Sequence, residues 1–158
     1  MKALVTSILL CLSIGYSSAQ FLTTDPTIYD IIDAVRASEL ESSITTLANF
    51  GTRHTMSDTI SNTRGIGAAR RWIKSQFEEI SKDCGNCLEV YEQWTLVKGD
   101  SDTRITKDTY VVNVYAILRG TQYPNRHIMM SGDIDSRVSD PRDYTSYFPG
   151  ANDNASGM

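Results

Sequence analysis

Cysteine is scarce. The 158 residues hold three, and Cys11 lies inside the N-terminal apolar run, which leaves Cys84 and Cys87 in "DCGNC". A structural zinc site needs about four ligands, and no second pair stands nearby to complete one. Basic charge is also short: 15 Lys and Arg against 19 Asp and Glu, a net charge of −4 and a pI near 5.1. That balance excludes the basic footprint of a nucleic-acid binder, and no basic run marks an anionic lipid surface. Histidine is rarer still, at two residues, His54 and His127. The one long apolar run, "ALVTSILLCLSIG", is too short to span a bilayer comfortably. Leu10 stands before Cys11, where a lipoprotein signal wants a small residue, so no stable membrane anchor is expected.

What is present at the N-terminus fits export. Lys2 gives a short positive region, the apolar run follows, and "YSSA" supplies small residues for cleavage after Ala19. Residues 1–19 are therefore expected to be a signal peptide and the mature chain to begin at Gln20. The expected location is secreted or periplasmic. In that compartment a close pair such as Cys84 and Cys87 reads as a local disulfide. A thioredoxin-like redox pair would instead open a helix, and this pair follows one.

Periodicity orders the rest. Asp25-Pro26 starts a helix carrying Ile28, Ile31, Ile32 and Val35. "SELE" at Ser38–Glu41 is a capping box, so a second helix is expected there, striped by Leu40, Ile44 and Leu47 and ended by Gly51. A polar loop leads to Ile66, Ala69, Ile73, Phe77 and Ile80, the strongest helical pattern in the chain, ended by Gly85. The period then changes to two. Strands are expected over Leu88–Val97, over "TYVVNVYAILRG", and over "HIMMSG" as a short central strand. The architecture is the opening of an α/β sandwich.

Aspartates crowd the last segment, "SGDIDSRVSDPRDYTSYFPGANDNASG". If the third strand forms, Asp133 and Asp135 share one side at its carboxyl end, where open α/β sheets bind ligands. Asp153 follows after Pro149 and Gly150 turn the chain. Two close carboxylates resist joint ionisation, and a divalent cation relieves this. A solvated acidic loop is the plain alternative.

"SGDIDSR" followed by "PGANDNASG" resembles the paired signature of the co-catalytic di-zinc aminopeptidases. That group (clan MH metallopeptidases) includes bacterial leucyl aminopeptidase, aminopeptidase Y and glutamate carboxypeptidase relatives. "NVYAILRG", "GTRHT" and "NTRGIGAARRWIKSQF" are similar to the strand and helices that precede the site in this family. The resemblance implies a three-layer αβα sandwich with a mixed sheet, the zinc-exopeptidase or phosphorylase/hydrolase-like fold. Only its N-terminal helices and first strands would be present. Residues 20–158 would be the N-terminal part of a metallopeptidase catalytic domain. The activity implied is removal of N-terminal residues from peptides with free N-termini by metal-activated water, with two zinc ions as cofactor.

By position, the resemblance makes Asp153 the bridging zinc ligand and Asp135 the acid that orients the first ligand. Pro149, Gly150, Ala151, Ser156 and Gly157 shape the loop. Asp133 stands where the family has a histidine, which leaves a weaker zinc site, a harder metal such as manganese, or no metal at that position. The family's catalytic glutamate and remaining ligands have no counterpart before Met158, so the fragment by itself is expected to be inactive. The alternatives are a non-catalytic interaction domain and a one-zinc glutaminyl-peptide cyclotransferase. His54 and His127 read as structural residues. Tyr144, Tyr147 and Phe148 read as loop packing or as the wall of a substrate pocket. Asn154-Ala155-Ser156 is formally a glycosylation sequon that the motif would fold into its loop.

Overall fold

The computed structural model describes residues 25–158. The signal peptide expected over residues 1–19 and the mature start expected at Gln20 lie outside the described residues. Helix α1 (Pro26–Asp33) belongs to a first unit that ends at Arg36. Asp25 caps it by accepting from Thr27 N at 2.9 Å, and Pro26 fills a first-turn position where no N–H is needed.

The second unit, 37–158, carries α2 (Ala37–Asn49), α3 (Gly65–Asp83), β1 (Leu88–Val97), β2 (Thr109–Leu118) and a 3₁₀ turn (Ala155–Gly157). Helix α2 takes Ser38 inside its first turn rather than as its cap. Strands β1 and β2 pair antiparallel, from Leu88 opposite Leu118 to Val97 opposite Thr109. On one face Val112 is buried and Glu92 meets Lys74 of α3 at 3.7 Å. On the other, Tyr91 stacks on Tyr115 with ring centroids 5.3 Å apart. Cys84 and Cys87 are joined as a disulfide, Cα–Cα 5.5 Å, between α3 and β1. Ser81 closes the same corner, its hydroxyl donating to Leu88 O at 3.0 Å and accepting from Leu88 N at 3.1 Å.

Leu47, Ala69, Ile73 and Ala155 form the buried core, with Ile44, Phe50, Trp72, Phe77, Val114 and Ile134 packed around it. Ala155 is thus the hydrophobic foot that seats the C-terminal turn.

Helices with a small antiparallel sheet are compatible with part of an α/β protein. One expectation is corrected. No strand forms over "HIMMSG", and Ile128, Met129 and Met130 are 98%, 88% and 94% exposed. A strand needs a neighbour for its N–H and C=O groups. Among the described residues the only sheet is the β1–β2 pair, and 127–132 joins neither edge. The alternation that would have put Asp133 and Asp135 on one face of a strand therefore does not operate. Among the described residues no helix is long and apolar enough to cross a membrane.

Candidate functional site

The last segment is organised by an arginine that its own sequence does not contain. Arg53 is 0% exposed. Its Nε donates to Ile134 O at 2.9 Å. Nη1 donates to Leu47 O at 2.8 Å and Pro149 O at 2.5 Å, and Nη2 to Gly150 O at 2.9 Å. One guanidinium fork thus ties the end of α2, the Asp133–Asp135 stretch and the start of the "PGANDNASG" loop to one another. Burial lowers the Arg53 pKa, and the negative charge of Asp135 opposes that shift. Ser136 completes the tie by donating from its hydroxyl to Phe148 O at 3.1 Å.

Gly150 is required where it stands. Its φ is +55°, and a Cβ there would lie 2.4 Å from Ser136 Cβ and 3.0 Å from Arg53 Nη2. Beyond it the loop folds on itself. Ala155 N donates to Gly150 O at 3.0 Å and Ser156 N to Ala151 O at 3.0 Å. The Ser156 hydroxyl donates to Asn152 O at 3.0 Å. The Asn154 side chain fills the space beside Gly157, with its Oδ1 2.0 Å from where a Cβ would be. The Asp153–Asn154 peptide is cis. Gly132 passes close to the turn, its absent Cβ 2.6 Å from Gly157 O, which brings the Asp133 segment beside the end of the loop.

Asp133 and Asp153 are exposed and Asp135 is half-buried. Asp133 and Asp135 line one cavity of about 360 Å³ together with Arg70, and Asp153 does not line it. Among the described residues no group of three His, Cys, Asp or Glu side chains converges as a metal site. Zinc takes about four ligands, so the residues present do not amount to a zinc site.

His54 is not a spare ligand. It is buried, its Nδ1 accepts from Met56 N at 3.0 Å, and its Nε2 lies 3.0 Å from Pro141 O. With Nδ1 accepting, the proton sits on Nε2 and donates to that carbonyl, so both ring nitrogens are occupied. His127 is exposed. Tyr144 lies under the Lys107 ammonium, 4.1 Å from its ring centroid, and both line a second open cavity beside Met56. Tyr147 is 74% exposed.

Sequence reasoning missed Arg53, Ser136 and Arg70. "GTRHT" marked the stretch containing Arg53 by resemblance. Its partners are carbonyls more than eighty positions away in three cases out of four, which no local pattern announces.

A protein of Leptosphaeria maculans named probable zinc metalloprotease is 43% identical over 127 residues, 80% of this chain and 29% of that protein. One of Pyrenophora teres f. teres bearing the same name is 42% identical over 127 residues, 80% of this chain and 26% of its own length. Another, of Pyricularia oryzae, is 40% identical over 124 residues, 78% and 24% respectively. This chain therefore spans less than a third of the curated relatives it matches. No family model matches the chain, and no solved structure matches it.

Proposed function

We propose that a chain similar over four fifths of its length to fungal proteins named probable zinc metalloproteases works as the front of an exported metal-dependent exopeptidase. That similarity is the observation that carries the reading. Aminopeptidase chemistry, a sandwich fold and peptides with free N-termini as substrates are its finer parts. They are supported by the motif pair "SGDIDSR" and "PGANDNASG".

On this reading Asp153 is a zinc ligand, Asp135 is an orienting acid held near the Arg53 charge, and Asp133 is the open position. Gly150 and Arg53 fix the loop that presents Asp153. Other ligands, and the count of zinc ions, belong to parts of the relatives that this chain does not span.

A non-catalytic domain is the second reading. Its support is Asp133 in place of the family's histidine together with the absence of a converging ligand trio among the described residues.

The test uses the full protein carrying this sequence. It should hydrolyse a leucyl chromogenic substrate, lose that activity to a strong chelator and regain it with added zinc. Asp153→Ala should leave no measurable turnover. Chelator-resistant hydrolysis overturns the metal mechanism, and a folded protein inert with zinc present supports the second reading.

A further inference from the structure

Arg70, on α3, is a buried charge that no carboxylate bridges, although the negative charge of Glu92 acts on it and offsets part of the cost of its burial. It is 6% exposed, and its Nε has no hydrogen-bond partner. Its Nη2 reaches Tyr110 O only at 3.4 Å. Among the described residues no carboxylate forms a salt bridge with it. Proteins rarely leave a guanidinium buried this way unless something neutralises it. Arg70 lines the cavity of about 360 Å³ in which Arg104, Asn113, Asp133 and Asp135 also take part. Ile66 and Val112, both buried, supply apolar lining.

We propose that this cavity binds a short peptide with both termini free. Its carboxylate sits on Arg70, with help from Arg104, and its ammonium faces Asp133. Two guanidiniums and two carboxylates in one small space leave no net charge to attract a simple ion. A lone anion would meet the aspartates, and a lone cation would meet the arginines. A zwitterion satisfies both ends. The planar fork of arginine matches a carboxylate with two parallel hydrogen bonds. The volume lies near the lower end of ligand pockets, roughly 300–1,000 Å³, so the ligand is small. Asp135 is half-buried and acts on the Arg53 charge, whereas Asp133 is exposed and open to the ammonium. The departure from histidine at position 133 then gains a purpose: an anion that reads the free N-terminus. The choice of peptides among zwitterions rests on the peptidase reading. The binding itself rests on Arg70.

Calorimetry on the full protein, stripped of metal by a chelator so that nothing is hydrolysed, tests this. The probes are alanylalanine, its C-terminal amide and its N-acetyl derivative. The free dipeptide should bind about tenfold or more tighter than its amide, as expected when buried Arg70 loses its partner, and by a smaller factor tighter than the acetylated form, because Asp133 is exposed. Arg70→Met should erase the preference over the amide, and Asp133→Asn the preference over the acetylated form. Equal affinities in the wild-type protein, or no binding, overturn the proposal, and this comparison decides alone if Arg70→Met fails to fold. A wild-type protein without preference whose Arg70→Met variant unfolds at lower temperature assigns the charge to a carboxylate of its own chain, which also overturns the peptide site. Binding as expected by a protein that still hydrolyses no peptide once zinc is restored overturns the peptidase reading and leaves the site standing.

Discussion

Arg53 and Ser136 grip each other in both directions. Arg53 N donates to Ser136 Oγ at 3.0 Å, and Ser136 N donates back to Arg53 O at 3.4 Å. The two residues are 83 positions apart, so the contact joins the loop after α2 to the segment that carries Asp133 and Asp135. The side chain of Arg53 then extends the grip to Pro149 and Gly150.

Truncating that side chain removes a donor from four carbonyls at once. Each buried acceptor left without a partner costs on the order of 1–3 kcal/mol, though relaxation and water recover part of the sum. Arg53→Ala is therefore expected to lose about 3 kcal/mol or more in urea unfolding. Arg53→Lys keeps the charge and loses the fork, and should fall between the two. An Arg53→Ala protein within about 0.5 kcal/mol of wild type, the range of an ordinary surface change, would remove the clamp from the account.

Gly150→Ala should be costly for a different reason. The added methyl meets Ser136 Cβ, and φ is +55°. Left-handed backbone alone costs a non-glycine residue about 1–2 kcal/mol. The clash adds to this and should displace the loop, visible as faster amide exchange over residues 149–156 with α3 unchanged. Uniform exchange across the chain would argue against a local effect.

The Cys84–Cys87 disulfide closes a very short loop. Chain-entropy reasoning gives it about 2 kcal/mol, less than a long-range bridge would bring. The double variant Cys84→Ser, Cys87→Ser should still fold, with a modestly lower urea midpoint. Loss of cooperative unfolding in this variant would contradict that view. Peptide mapping under non-reducing conditions checks the bridge directly.

Glu89 offers a pH test. Arg119 holds it by a side-chain hydrogen bond, Tyr91 by another, and its carboxyl falls from 4.5 to about 2. A carboxylate depressed in the folded state adds stability in full above its unfolded value and loses it as pH falls through its folded value. The difference in stability between wild type and Arg119→Gln should therefore be constant near neutrality, shrink below about pH 4.5 and vanish near pH 2. A difference that grows toward acid would refute the pairing. In Arg119→Gln the Glu89 midpoint, followed by NMR, should move back toward its ordinary value.

The parts of the fold that could be read from sequence are those whose signal is local. Ile66, Ala69, Ile73 and Phe77 repeat on one helical face, and α3 runs Gly65–Asp83. The period-two pattern after Cys87 marks β1, which is observed as Leu88–Val97. His127–Gly132 misled because apolarity signals burial without naming a neighbour, and among the described residues no strand pairs with that stretch. The same limit governs the site. Gly150 is legible as a turn residue, and Asp133, Asp135 and Asp153 as a cluster. That Ala155 belongs to the core, or that a loop arginine holds the loop, depends on which distant segments meet. Arg70 was hidden for another reason: it falls in helical register with Ile66, Ile73 and Phe77, and a charge on that stripe gives no local sign of whether its head is buried or reaches water.

The bare stretch after β2 gives the protein an internal oxidation clock. Met129 and Met130 are 88% and 94% exposed, whereas Met56 is 3% exposed and its sulfur accepts from Thr106 Oγ1 at 3.7 Å. Thioether oxidation follows access. Dilute peroxide should convert Met129 and Met130 to sulfoxides while Met56 stays reduced, for as long as the loop after Arg53 keeps its place. Sulfoxide at Met56, counted against that at Met129 in one digest, then reports how often that part of the molecule opens.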